Sequence, residues 1–344
     1  MSFTHCDVRF VTLCVSMFTI GIADVSLVAA PNTVLQTFLN PTPEVNDWFG
    51  QSVAVVGAPN DDTGANDAGA AYVFDALSTE LVQTLFIRAP GAFFGASVAF
   101  LGDDALVGAR RWNFTYLFDV ATGNTIQGFL DPGFGTFGMS VARAGNNVVI
   151  GGGKVRGTDF NYGAAHLFDL STGRLLQTFV KPVPELGDQF GHRVAAVGDN
   201  VLIGAPRSDS GAPDAGAAYL FEAATGNLLQ TFLNPTPSQD DHFGASVASV
   251  GDKVLIGAPL ADAVGVDAGE VYLFDATTAE LLTTFHGQTC FDGIGCFSGL
   301  LSEQFGTSIA SSGNTIVVGA RHNNLGAGAA GAAYLFEYER EHDK

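Results

Sequence analysis

Positive charge is scarce in this chain. Lys and Arg together number 15 against 35 Asp and Glu, a formal charge of −20 over 344 residues. A polyanion needs a basic footprint for its phosphates, so nucleic acid and an anionic membrane surface are excluded as partners over most of such a surface. Helical periodicity is missing as well. No segment sustains apolar residues at a 3.6-residue spacing, and helices should be nearly absent. Long apolar runs are confined to the N-terminus, where Arg9 precedes a largely apolar stretch from Phe10 to Ile22 and small residues follow at 28–30. That stretch suits a signal peptide and is short for a bilayer span. Residues 1–30 are therefore expected to be a leader, and the mature chain to be secreted or cell-surface, with no membrane span.

Cysteine is equally sparse. Cys6 and Cys14 fall in the leader, which leaves Cys290 and Cys296 at the ends of the short glycine-containing loop CFDGIGC. In an exported protein such a pair reads as a local disulfide. Catalytic signatures are lacking: there is no HExxH, no GxSxG and no phosphate-binding glycine loop. The run GGGKVRG at 151–157 lacks the Lys-Ser/Thr pair and the helix that a phosphate cradle requires.

Glycine and apolar residues are plentiful, with 43 Gly and 47% hydrophobic residues. They are organised as a repeat, the first thing to seek in such a composition. Phe-Gly recurs at 49–50, 94–95, 137–138, 190–191, 243–244 and 305–306. After each pair come an alternating run, a tight turn such as VGDN at 197–200, and an apolar run. That run ends in Gly-Ala-Pro at 57–59, 204–206 and 257–259, or in Gly-Ala-Arg at 108–110 and 319–321. A third run closes on Phe74, Phe118, Phe168, Phe221, Phe274 or Phe336, and a fourth resembles LLQTF. Short runs rich in aromatic and β-branched residues, bounded by Gly, Asn, Asp and Pro, are strands joined by turns.

Four antiparallel strands repeated six times predict an all-β, six-bladed propeller over residues 31–337, with a charged tail at 338–344. The last copy lacks a fourth strand, and a spare one, VLQTF at 34–38, lies near the N-terminus. The N-terminal strand is thus expected to join the C-terminal blade and close the ring, which also removes exposed strand edges.

The six Phe-Gly pairs, the Gly-Ala-Pro ends and the AYLF-like strands make residues 49–336 similar to FG-GAP repeats, the units of the integrin α-chain propeller and of exported bacterial proteins. The resemblance implies a binding or adhesion module. Integrin rings have seven blades, so six copies depart from that pattern. The family's calcium loops, of DxDxDG type between the first two strands, are here reduced to turns such as Gly198-Asp199-Asn200. One carboxylate cannot supply the six to eight oxygens calcium takes, so calcium is not expected at the family's position. A separate calcium site could use Asp61, Asp62 and Asp67, although Asp at repeating loop positions commonly caps its own turn.

In an up-and-down blade the long second-to-third and fourth-to-first loops share one rim, where a scaffold carries its function. On that rim lie Arg110, Arg111 and Trp112 of blade 2, Lys154 and Arg156 of blade 3, Arg207 of blade 4 and Arg321 of blade 6. Guanidinium forks suit carboxylates and sulfates. Blades 2 and 3 could therefore form a basic, Trp-bearing patch for a uronic-acid glycan or a carboxylate side chain; alternatively these arginines pair with loop aspartates. His192 and Arg193 interrupt blade 4, where the other copies have Ser52, Ser97, Ser140, Ser246 and Ser308. Arg193 could enter the central channel or pair with Asp188. The favoured reading is a non-enzymatic extracellular module that binds a glycan or protein. The alternatives are a polysaccharide lyase or glycosidase, which needs two converging carboxylates at the channel, and a structural cell-surface component.

Overall fold

The computed structural model describes residues 55–75, 80–133, 136–152, 163–262, 264–291, 295–298, 303–322 and 331–338. It is an all-β, six-bladed propeller. Blade 1 comprises β1 (Val56–Ala58), β2 (Ala70–Phe74) and β3 (Leu81–Phe86). Blade 2 comprises β4 (Phe94–Phe100), β5 (Asp104–Ala109), β6 (Phe114–Asp119) and β7 (Thr125–Leu130), and blade 3 comprises β8 (Ser140–Ala144), β9 (Asn147–Gly151), β10 (Ala165–Asp169) and β11 (Leu175–Phe179). Blade 4 holds β12 (Arg193–Val197), β13 (Asn200–Ala205), β14 (Ala217–Glu222) and β15 (Leu228–Leu233). Blade 5 holds β16 (Ser246–Val250), β17 (Lys253–Ala258), β18 (Glu270–Asp275) and β19 (Leu281–His286). A hairpin of β20 (Gln288–Phe291) and β21 (Gly295–Ser298) leads to blade 6, with β22 (Phe305–Ser312), β23 (Thr315–Ala320) and β24 (Ala332–Glu337). Every sheet pairs its strands antiparallel in sequence order. Among the described residues no helix is long and apolar enough to cross a membrane. The leader, the expected closing strand at 34–38, the first Phe-Gly pair and residues 339–344 lie outside the described residues.

The core lies between blades. One cluster joins Leu202, Leu220 and Phe232 of blade 4 to Phe243, Ile256 and Phe274 of blade 5, and the four other seams among the described residues repeat this arrangement. The recurring phenylalanines thereby acquire a common role. The fourth-strand Phe of one blade and the Phe-Gly ring of the next both pack on the third-strand Phe. In the seam of blades 4 and 5, Phe232 lies 5.4 Å from Phe274 and Phe243 meets the same ring edge-on at 6.1 Å. Such pairs contribute about 0.5–1.5 kcal/mol beyond area burial.

Glycine allows the backbones to meet at the same seams. Gly244 has φ +92°, and a Cβ on Gly204 would stand 2.1 Å from its carbonyl oxygen. The Asp-Ala-Gly loops of blades 1, 4 and 5 reach across as well: the Phe243 N–H donates to Ala215 O at 2.9 Å, and Phe94 and Phe305 do likewise to Ala68 and Ala268. At the outer edge, Gln230 Nε2 donates to Thr277 O of the next blade at 2.5 Å. Phe-Gly, Gly-Ala, Asp-Ala-Gly and LLQTF are thus one inter-blade joint read at different points in sequence. That joint fixes where the inner strands and rim loops stand around the axis.

Candidate functional site

The first strands β4, β8, β12, β16 and β22 lie next to one another around the axis. At the loop-bearing rim they open into a cavity of about 400 Å³. Three positions of the repeat line it. The residue after Phe-Gly contributes Ala96, Met139, His192, Ala245 and Thr307; the residue before it contributes Gln189, His242 and Gln304. The end of the second strand contributes Arg110, Pro206, Arg207, Pro259, Leu260 and Arg321, and Arg193 completes the wall. Among the described residues, none of the lining side chains is a carboxylate. In a chain of charge −20, the axial cavity is lined by arginine from blades 2, 4 and 6.

Among the described residues, no carboxylate pairs with these cations: the salt bridges there involve Lys181, Lys253 and His286, and none includes Arg110, Arg111, Arg193, Arg207 or Arg321. Arg321 donates through Nη2 and Nε to Gln304 Oε1, at 2.6 and 3.0 Å. Arg110 stands over the Phe93 ring, 5.2 Å from its centroid, with Arg111 at 4.5 Å, within cation–π range. Burial and the neighbouring Arg111 both lower the pKa of Arg110. Burial, and then Arg110, lower that of Arg193. His192 is held neutral, pushed down to about 3 by burial and by Arg193, His242 and Arg207. Its Nδ1 has no hydrogen-bond partner among the described residues. His242 is also lowered, chiefly by burial, although Asp214 and Asp240, whose carboxylates come within 4.8 Å of its ring nitrogen, oppose the shift.

Sequence reasoning grouped the basic residues by blade, and the structure groups them by ring position. Arg110, Arg207 and Arg321 come together at the cavity. Arg111 is exposed over the Phe93 ring and Trp112 is exposed, and neither lines the cavity. Lys154 and Arg156 lie outside the described residues. Arg193 faces the cavity and does not pair with Asp188, which instead holds buried Lys181 at 2.9 Å. Of the candidate calcium ligands, Asp61 is buried and accepts hydrogen bonds from Tyr72 Oη at 2.5 Å and the Thr63 N–H at 2.7 Å. Asp62 accepts the N–H of Asp67 at 2.5 Å. Asp209 and Asp262 do the same for Asp214 and Asp267, so this pair builds the loop in blades 1, 4 and 5 alike. The backbones of Cys290 and Cys296 face each other directly across the β20–β21 hairpin.

What sequence reasoning missed is the lining role of the residues flanking Phe-Gly. Stacking the copies would have exposed it, since His192 takes the place of Ala96, Met139, Ala245 and Thr307.

The FG-GAP repeat model matches residues 43–74, 182–221, 234–274 and 299–336, which fall in blades 1, 4, 5 and 6. No curated protein matches the chain. Among solved structures, a crystal structure of the computationally designed Ika8 protein is similar over 82% of this chain and 67% of that one, at 16% identity and a TM-score of 0.48.

Proposed function

We propose that this six-bladed propeller, four of whose blades match the FG-GAP repeat model, is a non-enzymatic binding module that seats an anionic group of its ligand in the arginine-lined cavity. The observation that carries this reading is the convergence of Arg110, Arg207 and Arg321 on one cavity, with no carboxylate partner among the described residues. Arg110 is half-buried while Arg207 and Arg321 are exposed; like charges gathered at one cavity repel, and a carboxylate or sulfate from a ligand supplies the missing charge. The ligand is an acidic glycan or an acidic protein segment. The setting is extracellular, supported by the composition of residues 1–30, and the Cys290–Cys296 pair forms a disulfide there. Directly opposed residues of an antiparallel pair bring their Cα atoms to about 4.5–5.5 Å, inside the range a disulfide spans.

Binding of the full chain to an array of acidic and neutral glycans, read at two salt concentrations and with and without chelator, tests the reading. Binding should be selective for acidic members, weaken with salt and be indifferent to chelation. The double substitution Arg110→Ala, Arg321→Ala should reduce it about tenfold or more. Equal binding by this variant would refute the assignment. N-terminal sequencing and non-reducing mass analysis of exported protein test the leader and the disulfide: a start beyond residue 1 and a mass about 2 Da below the free-thiol value are expected.

A further inference from the structure

The inner strands break their pattern at one point, and it lies in this cavity. In blades 2, 3 and 5 the second residue after Phe-Gly is a buried serine that ties its blade to the next. Ser97 Oγ donates to Gly138 O at 2.8 Å, Ser246 Oγ donates to Gly306 O at 2.6 Å, and Ser140 Oγ accepts the Val194 N–H at 3.0 Å. Blade 4 has Arg193 there. Its Nη1 donates to the carbonyl of its own neighbour His192, at 3.0 Å, and its side chain lines the cavity. A joint used by three other blades has been exchanged for a desolvated cation beside further cations. A protein that breaks its own repeat rule at a cost in stability commonly does so at a functional position.

The surroundings indicate what would offset that cost. Arg193 comes from an inner strand, whereas Arg110, Arg207 and Arg321 come from second-strand ends in blades 2, 4 and 6, so positive charge meets the cavity from several directions. A volume of about 400 Å³ is that of a small-molecule site rather than a flat macromolecular patch. His192 lines the same cavity, and its buried Nδ1 has no hydrogen-bond partner among the described residues. We propose that His192 and Arg193 form the inner wall of a subsite for a small anion bearing two or three carboxylates, with Arg110, Arg207 and Arg321 engaging its remaining charge. The proposal rests on the anion-binding reading above and narrows its ligand to a free small polycarboxylate.

Calorimetric titration of the full chain with acetate, succinate and citrate, in calcium-free buffer, tests it, with Arg193→Ser and Arg193→Lys as variants. Affinity should rise from acetate through succinate to citrate. Arg193→Ser, which restores the residue used by the other blades, should fold, melt no lower than wild type and bind citrate about tenfold or more weakly, as expected for loss of a charge-assisted fork. Arg193→Lys should keep part of the affinity, because it keeps charge without the fork. Unchanged citrate binding by Arg193→Ser would overturn the proposal, as would equal affinity for acetate and citrate, or tighter binding of inorganic phosphate with the same dependence on Arg193. Binding of acidic glycans without any small carboxylate would overturn this subsite and leave the module reading intact. Absence of both would remove both.

Discussion

Blades 4 and 5 are nearly the same blade. Their second strands read NVLIGAP and KVLIGAP, their third AAYLFE and EVYLFD, and their Phe-Gly joints superpose in role. They part company at two places. At the cavity blade 4 has His192, Arg193 and Arg207, where blade 5 has Ala245, the buried Ser246 and Leu260. Beneath the rim, the loop that enters each blade is built around a buried acid two residues before Phe-Gly. In blade 4 Asp188 takes Lys181 Nζ at 2.9 Å and the Glu185 N–H at 2.5 Å. In blade 5 Asp241 takes Asn234 Nδ2 at 2.7 Å and the Ser238 N–H at 2.6 Å. The scaffold therefore tolerates substitution wherever the aromatic seam is spared, and chemistry has diverged at the positions the seam does not use.

The largest effect should come from the buried pair. Lys181→Ala leaves Asp188 buried beside a lost cation and should destabilise by about 3–5 kcal/mol, since breaking one half of such a pair strands the other charge. The matched change in blade 5, Asn234→Ala, removes a neutral donor to a carboxylate and should cost about 1.5–3 kcal/mol. Denaturant titrations of the two variants side by side check this order; equal losses would show that Lys181 acts only by filling space. Next comes the joint. Ser246→Ala strips a donor from the Gly306 carbonyl and should cost about 1–3 kcal/mol. Arg193→Ser should gain about 0.5–1.5 kcal/mol, the usual net worth of one hydrogen bond. A loss of stability in Arg193→Ser would mean that the arginine holds the blade together.

The contrast between the two blades also shows what was legible in the sequence. The ring, its blade number and the strand order were readable because each depends on short-range signals: Phe-Gly, two-residue turns and alternating runs. The rim location of Arg110, Arg207 and Arg321 followed from loop length. Their meeting point did not, because it depends on closing a ring across residues 97 to 211 positions apart, and no spacing records that. Arg110 and Arg111 both stand over the Phe93 ring, yet only Arg110 also lines the cavity. The buried acids Asp188 and Asp241 were visible as a recurring offset from Phe-Gly. Whether such an acid would meet a lysine or an asparagine could only be read once the 4-to-1 loop was seen to fold back on itself.

The smallest effect sharpens the comparison most, because it is a matter of sign. Burial pushes the Asp241 carboxyl up to about 6 from an ordinary 3.8, with Asp262 and Glu270 adding to the shift and the bonds from Ser238 and Asn234 opposing it. A carboxyl whose pKa is raised on folding holds a proton that the unfolded chain has released. Its contribution is therefore full below the unfolded pKa and is lost as pH rises through the folded one. Asp241→Asn removes that loss. Both bonds to Asp241 fall on Oδ2 and its Oδ1 has no hydrogen-bond partner among the described residues, so an asparagine can keep the accepting oxygen in place and direct its amide to the vacant side. The variant should match wild type within about 1 kcal/mol near pH 4, gain on it between about pH 4 and 6, and hold that gain above. Melting temperatures across that range decide the matter. A wild type that instead gained on the variant with rising pH would show that ionised Asp241 is stabilised where it lies, and that blade 5 holds its acid as tightly without a lysine as blade 4 does with one.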